Sequence, residues 1–316
     1  MPGLITRAVP MTGVYITGFP HGRSAQIGIY DPCLPGMQNK MVPCPGGFEN
    51  HAVPMLRRLA ASDSSWVFID EIGYLESHSE PYMAALRNLF DQKQVIAAVR
   101  KQDLPFLLEM RTRPDVFCMD LDAPFGRTGC VIMASGLSKR FGSNKLLADF
   151  HGEPMFMRIL AATEGMFHRR VVVTRHPEIA DICHQHGVSA VLHALPHRSD
   201  TVRLGLEAVG DVDSCLFCPA DQPLLTKETT ASIVLAGAHD PHSIWRPSFE
   251  GTPGSPVLFP RWSFDQLMNL PEGKGGAFVA RMHPEKVRIL PVQNAYELMD
   301  ADDPETLEKL LNPTSC

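Results

Sequence analysis

Short apolar runs rich in β-forming residues alternate with helix-patterned segments along the whole chain, and this alternation restricts the fold more than any other feature. It predicts an α/β protein built on parallel strands. "SSWVFIDEIG" (Ser64–Gly73) reads as a buried strand ending in two acids, Asp70 and Glu71. "SEPYMAALRNLFDQ" has helical apolar spacing with Pro81 early, where a helix tolerates it. "QVIAAVR" reads as a second buried strand and "DVFCMDLD" as a third. "APFGRTG" (Ala123–Gly129) then breaks the pattern, and a fresh series begins with "CVIMAS". It continues through "PMFMRILAATEGM", "RRVVVTR", "HPEIADICHQHG", "VSAVLH", "TVRLGLEAV" and "SCLFCPADQP". The boundary is expected near residues 122–128, giving domains 1–124 and 125–316.

Composition narrows the partners. A net charge of -6 argues against a nucleic-acid polymer, which needs a basic face. No apolar run is long enough to cross a bilayer, and the N-terminal stretch has proline and glycine where a signal peptide needs continuous apolar sequence, so a cytoplasmic location is expected. Eight cysteines at irregular spacing do not suggest a disulfide framework. Only Cys215 and Cys218 have metal-ligand spacing, and "SCLFC" reads better as a core strand, since free cysteine is commonly buried. The thirteen histidines are scattered, and a surface or structural role is expected for them.

Two segments of the second half carry chemistry. After "CVIMAS" comes a small-residue loop in which Ala134, Ser135, Gly136 and Ser138 allow close backbone approach to a ligand. Arg140 can fork onto phosphate oxygens and Lys145 adds a compact charge. In "CPADQPLLT" a strand ends in Asp221, held between two prolines at the sheet edge where open α/β folds bind ligands. A lone carboxylate there suits Mg²⁺, which takes one or two acids together with phosphates and water; capping the next turn is the alternative use.

Together, "MASGLSKRFGSNKLL" and the following "GEPM" resemble the signature of the nucleotidyltransferases that include the molybdenum cofactor cytidylyl- and guanylyltransferases. "SDTVRLGL", "ADQPLL", "GTPGSPVLF" and "LMDADDPETLEKL" keep that family's order, so the resemblance spans about residues 129–311. It implies a Rossmann-like, mostly parallel three-layer domain. Arg140 and Lys145 would hold a triphosphate and Asp221 Mg²⁺, while Ala134 to Gly136, with Ser199 or Thr201, would hold base and ribose. Ser143 to Leu147 and the Gly-x-Pro-Val-Leu-Phe run resemble the cytidylyl branch, which implies transfer from CTP to molybdopterin and a client molybdenum enzyme. The chain departs from that branch on the acceptor side, with Ser255 in place of His and "PEGKGG", including Glu272, in place of Gly-Asp-x-Gly. A sugar phosphate or another small phosphate fits those departures, and a non-catalytic cofactor-binding accessory protein is the reading from another class. "DADDPE" looks like a capped helix start, so Asp300 and Asp302 are expected to be structural.

In the first half, "DEIGYLE" resembles the Asp-Glu-Ile-Gly-Lys-Met-Glu run of the small nucleoside-triphosphatases first known from thermophiles, with Tyr74 in place of lysine. This resemblance implies a smaller, truncated P-loop-NTPase-like α/β domain. The phosphate loop G-x-x-x-x-G-K-[ST] is absent from the sequence. "GFPHGRS" (Gly18–Ser24) lies between "GVYIT" and "AQIGIY" and reads as a hairpin turn. The domain is therefore expected to have lost its own NTP hydrolysis and to serve as an interaction or regulatory module, or to be completed by a partner's phosphate loop.

Overall fold

The computed structural model describes residues 1–34, 40–138 and 140–313. They form two compact units, Met1–Cys118 and Met119–Cys316, so the division falls at 118/119 where 124/125 was expected.

The strands of the first unit are β1 (Gly3–Val9), β2 (Gly13–Phe19), β3 (Ser24–Tyr30), β4 (Met41–Pro43), β5 (Trp66–Ile72) and β6 (Gln94–Val99). They lie in the order β4-β3-β2-β1-β5-β6. The sheet is mixed: β1 to β4 form an antiparallel meander, and only β1, β5 and β6 run parallel. "GFPHGRS" does make the β2–β3 turn, closed by Gly22 N–H donating to the Gly18 carbonyl at 2.7 Å. Helices α1 (Val53–Ala60) and α2 (Glu80–Gln92) supply Leu56, Tyr82, Leu86 and Leu89 to a core shared with Val67 and Ile69 of β5. Two expectations need correction. "QVIAAVR" is an edge strand and not a buried one; Ile96 is 55% exposed. Residues 115–122 form no strand, and Phe117 and Met119 are exposed there. Apolar β-formers give a segment strand tendency, but a strand also needs a neighbour to pair with.

The second unit holds β7 (Thr128–Ala134), the two-residue pair β8 (Asp149–Phe150) and β9 (Glu153–Pro154), β10 (Arg169–Thr174), β11 (Ser189–Leu192) and β12 (Ser214–Pro219). They are followed by β13 (Ile244–Phe249), β14 (Thr252–Pro253), β15 (Val257–Pro260) and β16 (Val287–Pro291). The main sheet runs β11-β10-β7-β12-β15-β13-β14, with β16 beside β13. Its left half is parallel, and β15 enters antiparallel. Alternate residues of the central strands face two cores. Cys130, Ile132, Val172 and Leu216 meet Phe156, Ile179, Ile233 and Leu307 on one side. Val131, Val171, Val173 and Phe217 meet Val202, Leu206, Phe264 and Val279 on the other. Strands buried on both faces make the near-continuous apolar runs of the sequence, and the result is the expected three-layer α/β unit.

Candidate active site

From β7 the chain goes first to β10 and β11 on one side, then returns to β12 on the other. The loops after β7 and β12 therefore part at a topological switch point, the place where such sheets open a ligand crevice. A cavity of about 650 Å³ lies there, lined from both loops.

Beyond β7 the loop Ser135–Ser138 forms one wall. Its polar groups at the back are occupied. Thr174 Oγ1 donates to the Ala134 carbonyl at 3.0 Å, and His176 Nε2 lies 2.8 Å from the Gly136 carbonyl. Ser135 Oγ donates to the Val173 carbonyl at 3.1 Å and lies 2.8 Å from His193 Nε2. Among the described residues, the N–H groups of Ser135 to Ser138 have no protein acceptor, which leaves them for a ligand. Ser138 adopts a left-handed φ of 49°, and its hydroxyl accepts the Lys145 N–H at 3.2 Å, so the loop folds back on itself. Lys145 opens a one-turn helix, Lys145–Leu147, capped by Asn144 and anchored by buried Leu146. That anchor turns the Lys145 side chain into the crevice, where it is 10% exposed.

Opposite stands Asp221, just past β12. Its carboxylate meets Lys145 Nζ at 2.6 Å, and its carbonyl accepts the Ala301 N–H at 2.8 Å. The second bond draws in residues 300–302. Asp302 then meets Lys145 Nζ at 3.2 Å and Arg140 Nη2 at 2.7 Å. Asp300 and Asp302, expected to belong to the helix start, instead line the cavity. The cap is Asp303, which accepts the Thr306 N–H at 2.8 Å directly before Pro304 at the head of helix Pro304–Leu311. The clue was available, because an N-cap precedes a proline at the first helical position, and that leaves Asp302 unemployed.

Charge is dense here. Burial pulls the Lys145 ammonium down, but Asp221 and Asp302 outweigh it and its pKa is raised. Burial pushes Asp302 up, and Lys145 and Arg140 more than reverse it. For Asp300, burial, then the Asp221 charge, outweigh the Gln222 hydrogen bond and the Lys145 charge and raise it to about 6. Two carboxylates already converge on one cation and a third is crowded beside them, so the donor set fits a hard divalent ion. Among the described residues, no group of three or more His, Cys, Asp or Glu side chains could hold a metal by itself. Phosphate oxygens and water would complete the shell.

Of the other expected residues, Thr201 lines the cavity from helix Arg198–Val209, whereas Ser199 does not and Ala134 is buried behind the loop. Arg175 and Arg198, not anticipated, add cations to the wall, and Ser255 lies on it. Cys215 and Cys218 belong to the two opposite cores, so they cannot share a metal; burial holds both thiols well above the ordinary range. In the first unit Asp70 is exposed, and Glu71 is paired with Arg100 at 2.7 Å. Among the described residues no helix is long and apolar enough to cross a membrane.

Residues 130–287, half of the chain, match the model of the MobA-like NTP transferase domain, and residues 35–124 match that of an NTPase family. A 3-deoxy-manno-octulosonate cytidylyltransferase of Neisseria meningitidis serogroup A is 44% identical over 61 residues, which is 19% of this chain and 24% of that protein. The chain thus spans about a quarter of the curated relatives it matches. Among solved structures, Rv0371c from Mycobacterium tuberculosis H37Rv is 22% identical with a TM-score of 0.53, over 60% of this chain and all of that one. Its manganese complex gives 20% and 0.51 over the same shares. A CMP:2-keto-3-deoxy-manno-octonic acid synthetase complexed with CTP gives 16% and 0.50, over 59% of this chain and 97% of that one. These likenesses concern the fold.

Proposed function

The chain belongs, through residues 130–287, to the MobA-like NTP transferase family, and from that premise we propose that it transfers CMP from CTP to a phosphorylated small molecule, molybdopterin being the favoured acceptor. The observation that carries this reading is the meeting of Arg140, Lys145, Asp221 and Asp302 in one cavity at the switch point of the sheet. Fold alone would not support it.

The reaction is an in-line displacement. An oxygen of the acceptor phosphate bonds to the α-phosphorus of CTP, the bond from that phosphorus to the bridging oxygen breaks, and pyrophosphate leaves. The attacking phosphate is ionised at neutral pH, so no strong base is needed. What the site must do is hold two anions in line and offset their charge. Arg140 and Lys145 bind the triphosphate. The N–H groups of Ser135 to Ser138 take further phosphate oxygens, and Thr201, on the cavity wall, would face the ribose. Asp221 and Asp302 would hold Mg²⁺, which when bound would offset charge on the triphosphate. Because Lys145 Nζ now sits between those two acids, loading must exchange its partners, from carboxylate to phosphate.

A second reading rests on the Neisseria relative, whose name places cytidylyl transfer on an octulosonate, a sugar acid. Ser255 on the cavity wall is compatible with a sugar acceptor. We place the reaction in the cytoplasm, upstream of a molybdenum enzyme that would receive the finished cofactor. The test is pyrophosphate release from each of the four triphosphates with molybdopterin, with the octulosonate and with a sugar phosphate. Release confined to CTP with molybdopterin supports the first reading; release confined to CTP with the octulosonate or the sugar phosphate supports the second. No acceptor-dependent release from any pair would overturn both.

A further inference from the structure

The first unit contains a second large cavity, about 670 Å³, that the transfer chemistry does not use. It is bounded by the β2–β3 turn, with His21 and Arg23, and by the segment entering and forming α1, with Asn50, His51 and Arg58. Among the described residues, no carboxylate lines it. Three other arginines of this unit, by contrast, have carboxylate partners. Arg87 is paired with Glu80 and Glu109, Arg100 with Glu71, and Arg113 with Asp91 and Asp115. Among the described residues Arg23 has no acidic partner, and the side chain of Arg58 donates only to the Pro54 carbonyl of its own helix, at 3.3 Å. Two guanidinium groups from separate elements therefore face one hollow with their charge unspent. Phe19, 47% exposed, stands at the same wall and offers a ring to a flat apolar group.

We propose that this cleft binds a phosphorylated small molecule that carries a flat apolar group, with Arg23 and Arg58 on the phosphates and Phe19 against the ring. Guanidinium forks match phosphate oxygens, the imidazoles of His21 and His51 add donors, and the volume is that of a small-molecule site. Side chains do the holding here, so no phosphate loop is needed. The cleft adjoins Gly3 and Leu4, at the opening end of β1. Asp70 and Glu71 lie toward the far end of β5 and do not line it. Its lining shares no residue with the acid pair or with the transfer cavity.

Isothermal titration of the full-length chain with ATP tests this, in an Arg140→Ala/Lys145→Ala background that weakens the transfer site. Saturable one-to-one binding is expected. Adding Arg23→Ala and Arg58→Ala should weaken it by about tenfold or more, the scale of losing charge-assisted hydrogen bonds. Both side chains are exposed, so the circular dichroism spectrum should not change. Absence of saturable binding in the background, or binding undiminished by the two arginine substitutions, would overturn the proposal.

Discussion

His193 is fixed in one tautomer by its neighbours. Leu195 N–H donates to Nδ1 at 3.2 Å, so the ring proton sits on Nε2 and is given to Ser135 Oγ, whose own proton goes to the Val173 carbonyl. Burial, then the Arg175 charge, hold the His193 pKa below the ordinary range against the pull of Asp200. The neutral ring is therefore favoured in the fold, and what it contributes is present above the ordinary histidine range and lost as pH falls through its lowered pKa. His193→Ala should raise KM for the triphosphate about fivefold, the worth of one hydrogen bond near ~1 kcal/mol, with little change in kcat. Steady-state kinetics between pH 5 and pH 8, on the order of the range over which histidine titrates, should show the wild-type KM climbing toward acid while the variant stays flat. A fall in kcat at unchanged KM would contradict the positioning role. That Arg140, Lys145 and Asp221 would line one cavity was legible in the sequence, because the phosphate site proposed for them needs cations after one strand and an acid after another. His176 and His193 were not, because their partners are backbone and hydroxyl groups of a loop that only the β7–β10 pairing brings alongside. Asp302 was hidden among four acids in six residues, where only one could be the cap.

Helix Arg198–Val209 owes its position to a missing side chain. A Cβ at Gly205 would lie 2.4 Å from Val131 Cγ1 on β7, so only glycine lets the helix rest on the strand that leads to the Ser135–Ser138 loop. In an exposed helix Gly→Ala stabilises by about 1 kcal/mol; here the clash should prevail, and Gly205→Ala should cost ~1–3 kcal/mol in denaturant unfolding. In the first unit, Glu76 is 2% exposed and accepts the Gly73 N–H at 2.8 Å. Burial, partly countered by its backbone hydrogen bonds, raises its pKa from 4.5 to about 7. The fold thus favours the protonated acid: its contribution is fully present below pH 4.5 and is lost as pH rises through about 7. Thermal melts should show the wild type losing stability across that window, by up to ~3 kcal/mol, and Glu76→Gln removing the slope. An unchanged slope in the variant would contradict this. Strands β7, β10 and β12 could be read directly because strands covered on both faces are almost wholly apolar, whereas in β5, expected to be buried, burial alternates and Trp66 is 47% exposed. Whether "QVIAAVR" was central or at an edge, and whether "DVFCMDLD" paired at all, depended on neighbours far away in sequence.

At the scale of the molecule, the chain joins a transferase unit with an intact set of charges to an NTPase-like unit whose acids are employed otherwise. Asp70 is exposed and Glu71 is held by Arg100. Asp70→Ala/Glu71→Ala should therefore leave acceptor-dependent pyrophosphate release within about twofold of wild type, since surface changes away from a site move energies little; a tenfold loss would show that the first unit takes part in the chemistry. The two-part organisation was legible from the break in pattern at "APFGRTG", although the compact units divide a few residues earlier, after Cys118. The decisive measurement is single-turnover pyrophosphate release from CTP, with acceptor, by the wild type, Lys145→Ala and Asp221→Ala. If the ammonium and the carboxylate serve one triphosphate, each substitution slows release by roughly a hundredfold or more, the scale of losing a charge aimed at the reacting phosphates, with the circular dichroism spectrum unchanged. Near-normal release by either variant would contradict the shared site.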